Sequence, residues 1–326
     1  MAASEEPPAK TAVMAKIYGA VGFKKGYNFA FWIIFAGAMF AFCLARMMFL
    51  DFYGVYCSPK HHSNHAAPGE CFWYTGLDVY RIGIQLHLYT IIPAGAMACF
   101  QFIPIIRYKA IIVHRINGYL TLLLSLGGIA GAVMIAPVAF GGDLSIRGLV
   151  GFLAIMFFGS LCLSYYYIKK LRIDQHRAWM LRAWFYAAAI ITARLIMILT
   201  AMIISAIGNG EGGYYEPKLC RQLASYINGT VLLEKYPDCE SLDAWVLVKA
   251  DMKTKGAEHT SAALDVSFGM AIWMAVAIHA IGIEFYLQLT PGETERLREI
   301  SRRKQAEASM KASSKEIALD ECRNSV

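Results

Sequence analysis

The sequence predicts an all-α membrane protein, a polytopic bundle of six transmembrane helices with both termini in the cytosol. Three observations carry that class. Of 326 residues, 57% are hydrophobic and only 17% charged, with a mean hydropathy of +0.43, a combination soluble domains rarely show. The apolar residues fall in blocks of roughly twenty, the length that crosses ~30 Å of hydrocarbon. Lys and Arg flank those blocks, so the net charge of +7 is a topology signal and argues against nucleic acid as a partner.

Residues 1–28 read as a cytosolic tail, with an acidic, Pro-containing start ahead of Lys24 and Lys25. The first span, 29–50, is too long for the core of a cleaved signal and reads as an uncleaved anchor. Arg46 stands near its far end, where a long side chain can snorkel. An outer loop, 51–81, leads to the second span, 82–106. It carries His87 near its outer end and Pro93 in mid-span, where the missing N–H frees a carbonyl and predicts a kink. The third span, 116–140, holds Gly127 and Gly131 at the spacing that lets helix backbones approach. A short turn, GGDLSIRG, precedes the fourth span, 149–168. A basic approach with His176, Arg177 and Arg182 enters the fifth, 183–207. The longest outer loop, 208–265, leads to the sixth, 266–289. The transmembrane domain thus covers 29–290, and 291–326 is a charged, helical cytosolic tail.

Orientation follows from basic residues in the short loops. The second-to-third and fourth-to-fifth loops are strongly basic, whereas the third-to-fourth turn holds only Arg147. The two loops this places outside each contain a cysteine pair, Cys57 with Cys71 and Cys220 with Cys239, as disulfides in an oxidising compartment would. Asn228-Gly229-Thr230 in the longer one is a glycosylation sequon. The expected location is the endoplasmic reticulum, another secretory-pathway membrane or the plasma membrane.

Ionisable groups inside spans are costly, so each is informative. Arg194 lies about eleven residues into the fifth span, ~16 Å deep at ~1.5 Å per residue. His279 reaches a similar height in the sixth span, and Glu284 lies nearer its inner end. An Arg194–Glu284 ion pair with His279 beside it is the expected buried cluster, with helix registration as its plainer role. His114-Arg115 and His176-Arg177 recur on the cytosolic approach to two spans. The two imidazoles are candidate haem b ligands, with Arg115, Arg177 and Arg182 for the propionates; their plainer role is positive-inside anchoring. His87 is a weaker metal or proton-relay candidate. His61, His62 and His65 form a loop cluster suited only to weak metal binding.

The runs HRINGYL and DQHRAWMLRAWFYAAAIITARL resemble the predicted membrane proteins of the domain of unknown function 2306 family. Fungal members carry His-Arg-x-x-Gly-Tyr, then His-Arg-x-Trp-Met-x-Arg and an intramembrane Arg. The matching positions here are His114, Arg115, Gly118 and Tyr119, then His176, Arg177, Trp179, Met180, Arg182 and Arg194. The resemblance spans roughly the second to fifth helices. It implies a polytopic bundle and no particular activity. Six-helix haem proteins of the cytochrome b561 kind share the plan, but this chain lacks their two intramembrane histidine pairs.

No HExxH, P-loop or GxSxG motif is present. The leading expectation is a haem-binding or redox-active membrane protein, a membrane oxidoreductase using His114 and His176. The alternative is a membrane enzyme acting on a lipophilic small molecule at Arg194, His279 and Glu284. A transporter or accessory subunit without chemistry is the third reading.

Overall fold

The computed structural model describes residues 9–23, 25–58, 65–208 and 213–324. Among them, six helices are long and apolar enough to cross a membrane: Gly26–Leu50, Asp78–Gln101, Ile111–Ile135, Leu144–Lys169, Ile173–Ile207 and Ala257–Leu289. The all-helical, six-span class is therefore what the chain forms. In order the helices are α1 (Ala9–Ala20), α2 (Gly26–Arg46), α3 (Glu70–Gly76), α4 (Asp78–Gln101), α5 (Pro104–Lys109), α6 (Ile111–Ile135), α7 (Leu144–Lys169), α8 (Ile173–Ile207), α9 (Cys220–Ala224), α10 (Gly229–Lys235), α11 (Ala257–Leu289) and α12 (Pro291–Asn324). A two-stranded sheet, β1 (Tyr215–Leu219) with β2 (Trp245–Lys249), joins the long loop. The chain forms two compact units, Met1–Val150 with Arg194–Ala271, and Gly151–Ala193 with Ile272–Val326.

In the first unit, α4 and α6 pack backbone to backbone. A Cβ on Gly131 would lie 2.5 Å from the Gly83 carbonyl oxygen and 2.5 Å from the His87 amide nitrogen, and one on Gly127 would lie 2.9 Å from Thr90. The GxxxG spacing thus does what it predicts. Pro93 is carried inside α4. Two spans end earlier than expected. Residues preceding proline avoid the helical region, so the second stops at Gln101 and restarts at Pro104 as α5. The third stops at Ile135, ahead of Pro137 and a turn in which Phe140, Gly141 and Gly142 all have positive φ.

The long loop is a folded cap rather than an open loop. In it β1 and β2 pair antiparallel, with Tyr215 opposite Lys249 and Leu219 opposite Trp245. Cys220–Cys239 closes one disulfide there, and Cys57–Cys71 closes the other in the shorter loop. Leu223, Leu232, Val246 and Val248 make a core with Ala201 of α8 and Ala262 and Ala263 of α11. The Gln222 amide donates to the Gly69 carbonyl at 3.2 Å and ties the cap to the first loop.

In the second unit, Ser301 of α12 caps another helix. Its Oγ accepts from the Ile173 amide at 2.9 Å and lies 2.9 Å from Asp174 Oδ1. This closes the first turn of α8 ten residues earlier than the span expected at 183. The basic approach is therefore the opening of the same helix. Phe157 of α7 packs edge-on against Trp184 of α8, ring centres 5.6 Å apart.

Candidate functional site

The loops of the first unit fold in over Arg194. Its guanidinium lies over the ring of Phe140 at 4.4 Å and that of Phe268 at 5.6 Å, and these two rings touch at 4.3 Å. Phe140 belongs to the left-handed turn after α6, with φ of 49°, a costly conformation for a bulky residue. What holds it there is Glu70, whose Oε1 accepts from the Phe140 amide at 3.0 Å. Glu70 follows Gly69, whose φ of 86° turns the chain into α3, and it is only 6% exposed. The Tyr74 hydroxyl approaches the same oxygen at 3.4 Å. Burial pushes the Glu70 carboxyl up to about 7, against the pull of Arg194 and the Phe140 amide. The buried Tyr56 phenol is also raised, by burial first, and Arg194 acts on it as well.

Arg194 has further ionisable neighbours. It interacts electrostatically with Arg46, from the end of the first span, and with His87 of α4. Arg46 rests on the rings of Phe42 and Phe49 at 5.3 and 5.2 Å. His87 Nδ1 is 2.8 Å from the Gly128 carbonyl and so must carry its proton there, which leaves Nε2 as the lone-pair nitrogen. Among the described residues, neither Arg46 nor Arg194 donates a hydrogen bond or closes an ion pair; their partners are ring faces.

Beside this cluster stands a buried ion pair. Lys218 of β1 pairs with Asp265 of α11 and donates to Ser261 at 2.9 Å. Glu216, two residues before, has its carboxyl raised to about 7, by burial first and then by Asp265. A Cβ on Gly141 would meet Glu216 Oε1 at 2.7 Å, so that carboxylate closes on the same left-handed turn.

The residues expected to act together have separate partners. Glu284, expected to pair with Arg194, instead takes a two-pronged bond from Arg182, Nε at 2.6 Å and Nη2 at 2.8 Å. Arg182 is thereby committed to a carboxylate and not left for a propionate. His279 Nδ1 donates to the Phe185 carbonyl at 2.7 Å, and Nε2 accepts from Thr192 at 2.8 Å, so both ring nitrogens are used in bracing α8 to α11. His176 Nδ1 sits 2.8 Å from Ser164 Oγ, and Arg177 lies over the Tyr286 ring at 5.9 Å. His114 is in the first unit; its carbonyl accepts from Gln101 at 3.0 Å, and Arg115 beside it is exposed. His61 and His62 lie outside the described residues. No group of three His, Cys, Asp or Glu side chains able to hold a metal ion occurs among the described residues.

Sequence reasoning missed Glu70, Tyr56, Tyr74, Phe140 and the Lys218–Asp265 pair. The usable signal for Glu70 was its place beside Cys71, since a disulfide pins the neighbouring chain against the bundle.

Residues 84–209 match the model of a family described as a predicted membrane protein, DUF2306. The matched stretch includes His87, Phe140 and Arg194 and excludes Glu70 and the cap. No curated protein and no solved structure matches the chain.

Proposed function

We propose that this multi-pass membrane protein, with its DUF2306 segment at residues 84–209, is a bilayer-embedded enzyme acting on a lipophilic molecule at the Glu70–Arg194 cluster. The carrying observation is the seating of Glu70: a buried carboxyl fixed by the Phe140 amide, with an arginine acting on it and aromatic faces around it. An acid–base group works best with its proton affinity near the working pH, and burial brings Glu70 there. Arg194 offers five N–H donors to charge that develops when that proton moves. The second reading from the sequence thus keeps Arg194 and replaces His279 and Glu284, which are engaged elsewhere, by Glu70. Oxidised cysteine pairs support an oxidising compartment on the site's side of the membrane, with both termini in the cytosol.

Lipid extracts of protein purified from its native membrane, read by mass spectrometry, test this. The wild type should bring down substrate and product. Glu70→Gln keeps an acceptor for the Phe140 amide but cannot exchange a proton, and should bring down substrate alone. Arg194→Leu should bring down neither. The same lipid complement in all three proteins would overturn the proposal. A Soret band in purified protein, lost in the His114→Ala, His176→Ala double variant, would instead restore the haem reading.

A further inference from the structure

At the end of its spans opposite the disulfides, the first unit gathers cations with no acid among them. The sequence holds no Asp or Glu between Glu6 and Asp51, or between Asp78 and Asp143. Those stretches supply Lys16, Lys25, Arg107, Lys109 and Arg115 to that end; Glu5 and Glu6 lie outside the described residues. Backbone contacts bring the two stretches together. Gly22, with φ of 87°, turns α1 away from α2, and a Cβ there would lie 3.0 Å from the Ile105 amide nitrogen. That amide donates to the Val21 carbonyl at 3.2 Å. The turn before α2 is thus seated on α5, and Lys25 and Arg107 stand within three residues of the contact. Among the described residues none of the cations named closes an ion pair. Lys25 lies over the Tyr27 ring at 5.6 Å and Arg107 over that of Tyr108 at 5.3 Å. Arg107 is half-buried and the others are exposed. On α12, by contrast, Arg298 and Arg302 each face a glutamate three residues earlier, at 2.8 and 3.9 Å.

Exposed apolar side chains interleave with these cations: Ile17, Tyr27, Tyr108, Ile112 and Ile116. Ile112 and Ile116 belong to α6, so the cationic rim runs directly into a span that faces lipid. Aromatic rings and long basic side chains at the end of a span sit at headgroup level. Anionic headgroups attract basic clusters placed there, and phosphate accepts readily from ammonium and guanidinium groups. We propose that the rim formed by the α1–α2 turn, α5 and the start of α6 binds anionic phospholipid headgroups of the adjoining leaflet. Tyr27, Tyr108 and Ile112 then lie at the boundary of headgroup and tail. The proposal is independent of the Glu70–Arg194 site.

The test uses the full-length protein in detergent and two short-chain probes, dioctanoyl phosphatidylglycerol and dioctanoyl phosphatidylcholine. They share their tails and differ in net charge. At low salt the wild type should bind phosphatidylglycerol at least about tenfold more tightly. The preference should shrink as salt rises, because exposed charges are screened. Lys25→Gln, Arg107→Gln, Lys109→Gln in one chain should bind the two lipids alike. Arg298→Gln, Arg302→Gln should keep the preference, because those arginines already face glutamates. Equal binding of both lipids by the wild type would overturn the proposal, and that comparison requires no variant to fold. A preference that survives in the triple variant would overturn it too. So would a preference lost equally in the α12 variant, which would mark a general attraction to charge. Poly-glutamate bound in place of phosphatidylglycerol, with the same dependence on the three cations, would overturn it and assign the rim to an acidic protein.

Discussion

Glu70 is the residue on which most depends, and its titration has a consequence for stability. In the unfolded chain it titrates near 4.5, and in the folded chain near 7. The folded state therefore holds the extra proton between those values. Stability falls as pH rises through that window and is level above it. The rise corresponds to about 3 kcal/mol at most. Glu216 acts in the same direction for the same first cause, burial. Melting temperatures of solubilised wild type should accordingly drop between pH 5 and pH 8. Glu70→Gln should melt higher than wild type at pH 8 and lose part of the slope; Glu70→Gln, Glu216→Gln together should be nearly flat. An unchanged slope in the double variant would place the titrating groups elsewhere. At this scale the sequence was legible where a residue breaks a rule by itself. Arg194 does so by standing in an apolar run. Glu70 breaks no local rule: it is one acid in a polar loop, and its significance comes from an amide 70 residues away. Arg182 was legible in principle, because it stands just outside the expected fifth span, near the height of Glu284.

At the scale of elements, two devices set the architecture. The first is the approach of α4 to α6 at Gly83 and Gly131. Gly131→Ala would put its methyl against the α4 backbone at Gly83 and His87 and must push the helices apart, whereas Gly151 has nothing within 4 Å of a built Cβ. Gly131→Ala is expected to lower the melting temperature sharply or abolish the monodisperse peak in size-exclusion chromatography; Gly151→Ala is expected to behave as wild type. The second is the Lys218–Asp265 pair, which joins the cap to α11. Removing one member of a buried pair costs roughly 3–5 kcal/mol, while replacing both by apolar groups costs far less. Asp265→Leu should therefore unfold the cap, exposing Cys220 and Cys239 to reductant, and Lys218→Met in the same chain should restore protection. If the double variant is no better than the single, the ion pair supplies something beyond mutual neutralisation. Spacing made the first device readable. The second was hidden because Lys218 sits in a strand too short for its apolar periodicity to announce a sheet, 47 residues from its partner on α11. The overlong second and third spans were readable too: Pro104 and Pro137 are stop signals that hydropathy alone overrides.

For the whole molecule, the issue is which end faces which compartment, and three features bear on it together. Both cysteine pairs are oxidised. Asn228 is exposed at the start of α10, where its side-chain oxygen accepts from the Thr230 amide at 3.1 Å and from the Thr230 hydroxyl at 2.9 Å. The other end carries the basic loops expected in the cytosol. Glycosylation at Asn228 requires that end to have entered the lumen, so one modification reports the sidedness of all six spans. Expressed in a eukaryotic cell, the wild type should run faster on a gel after treatment with an endoglycosidase, and Asn228→Gln should run there untreated. In sealed microsomes, added protease should remove an epitope fused after Val326 and leave the cap as a protected fragment, because an even number of spans returns the chain to the side on which it began. An unglycosylated Asn228 together with a protected epitope would reverse the orientation. The proposed Glu70–Arg194 site would then face a reducing compartment, where its two disulfides would not persist.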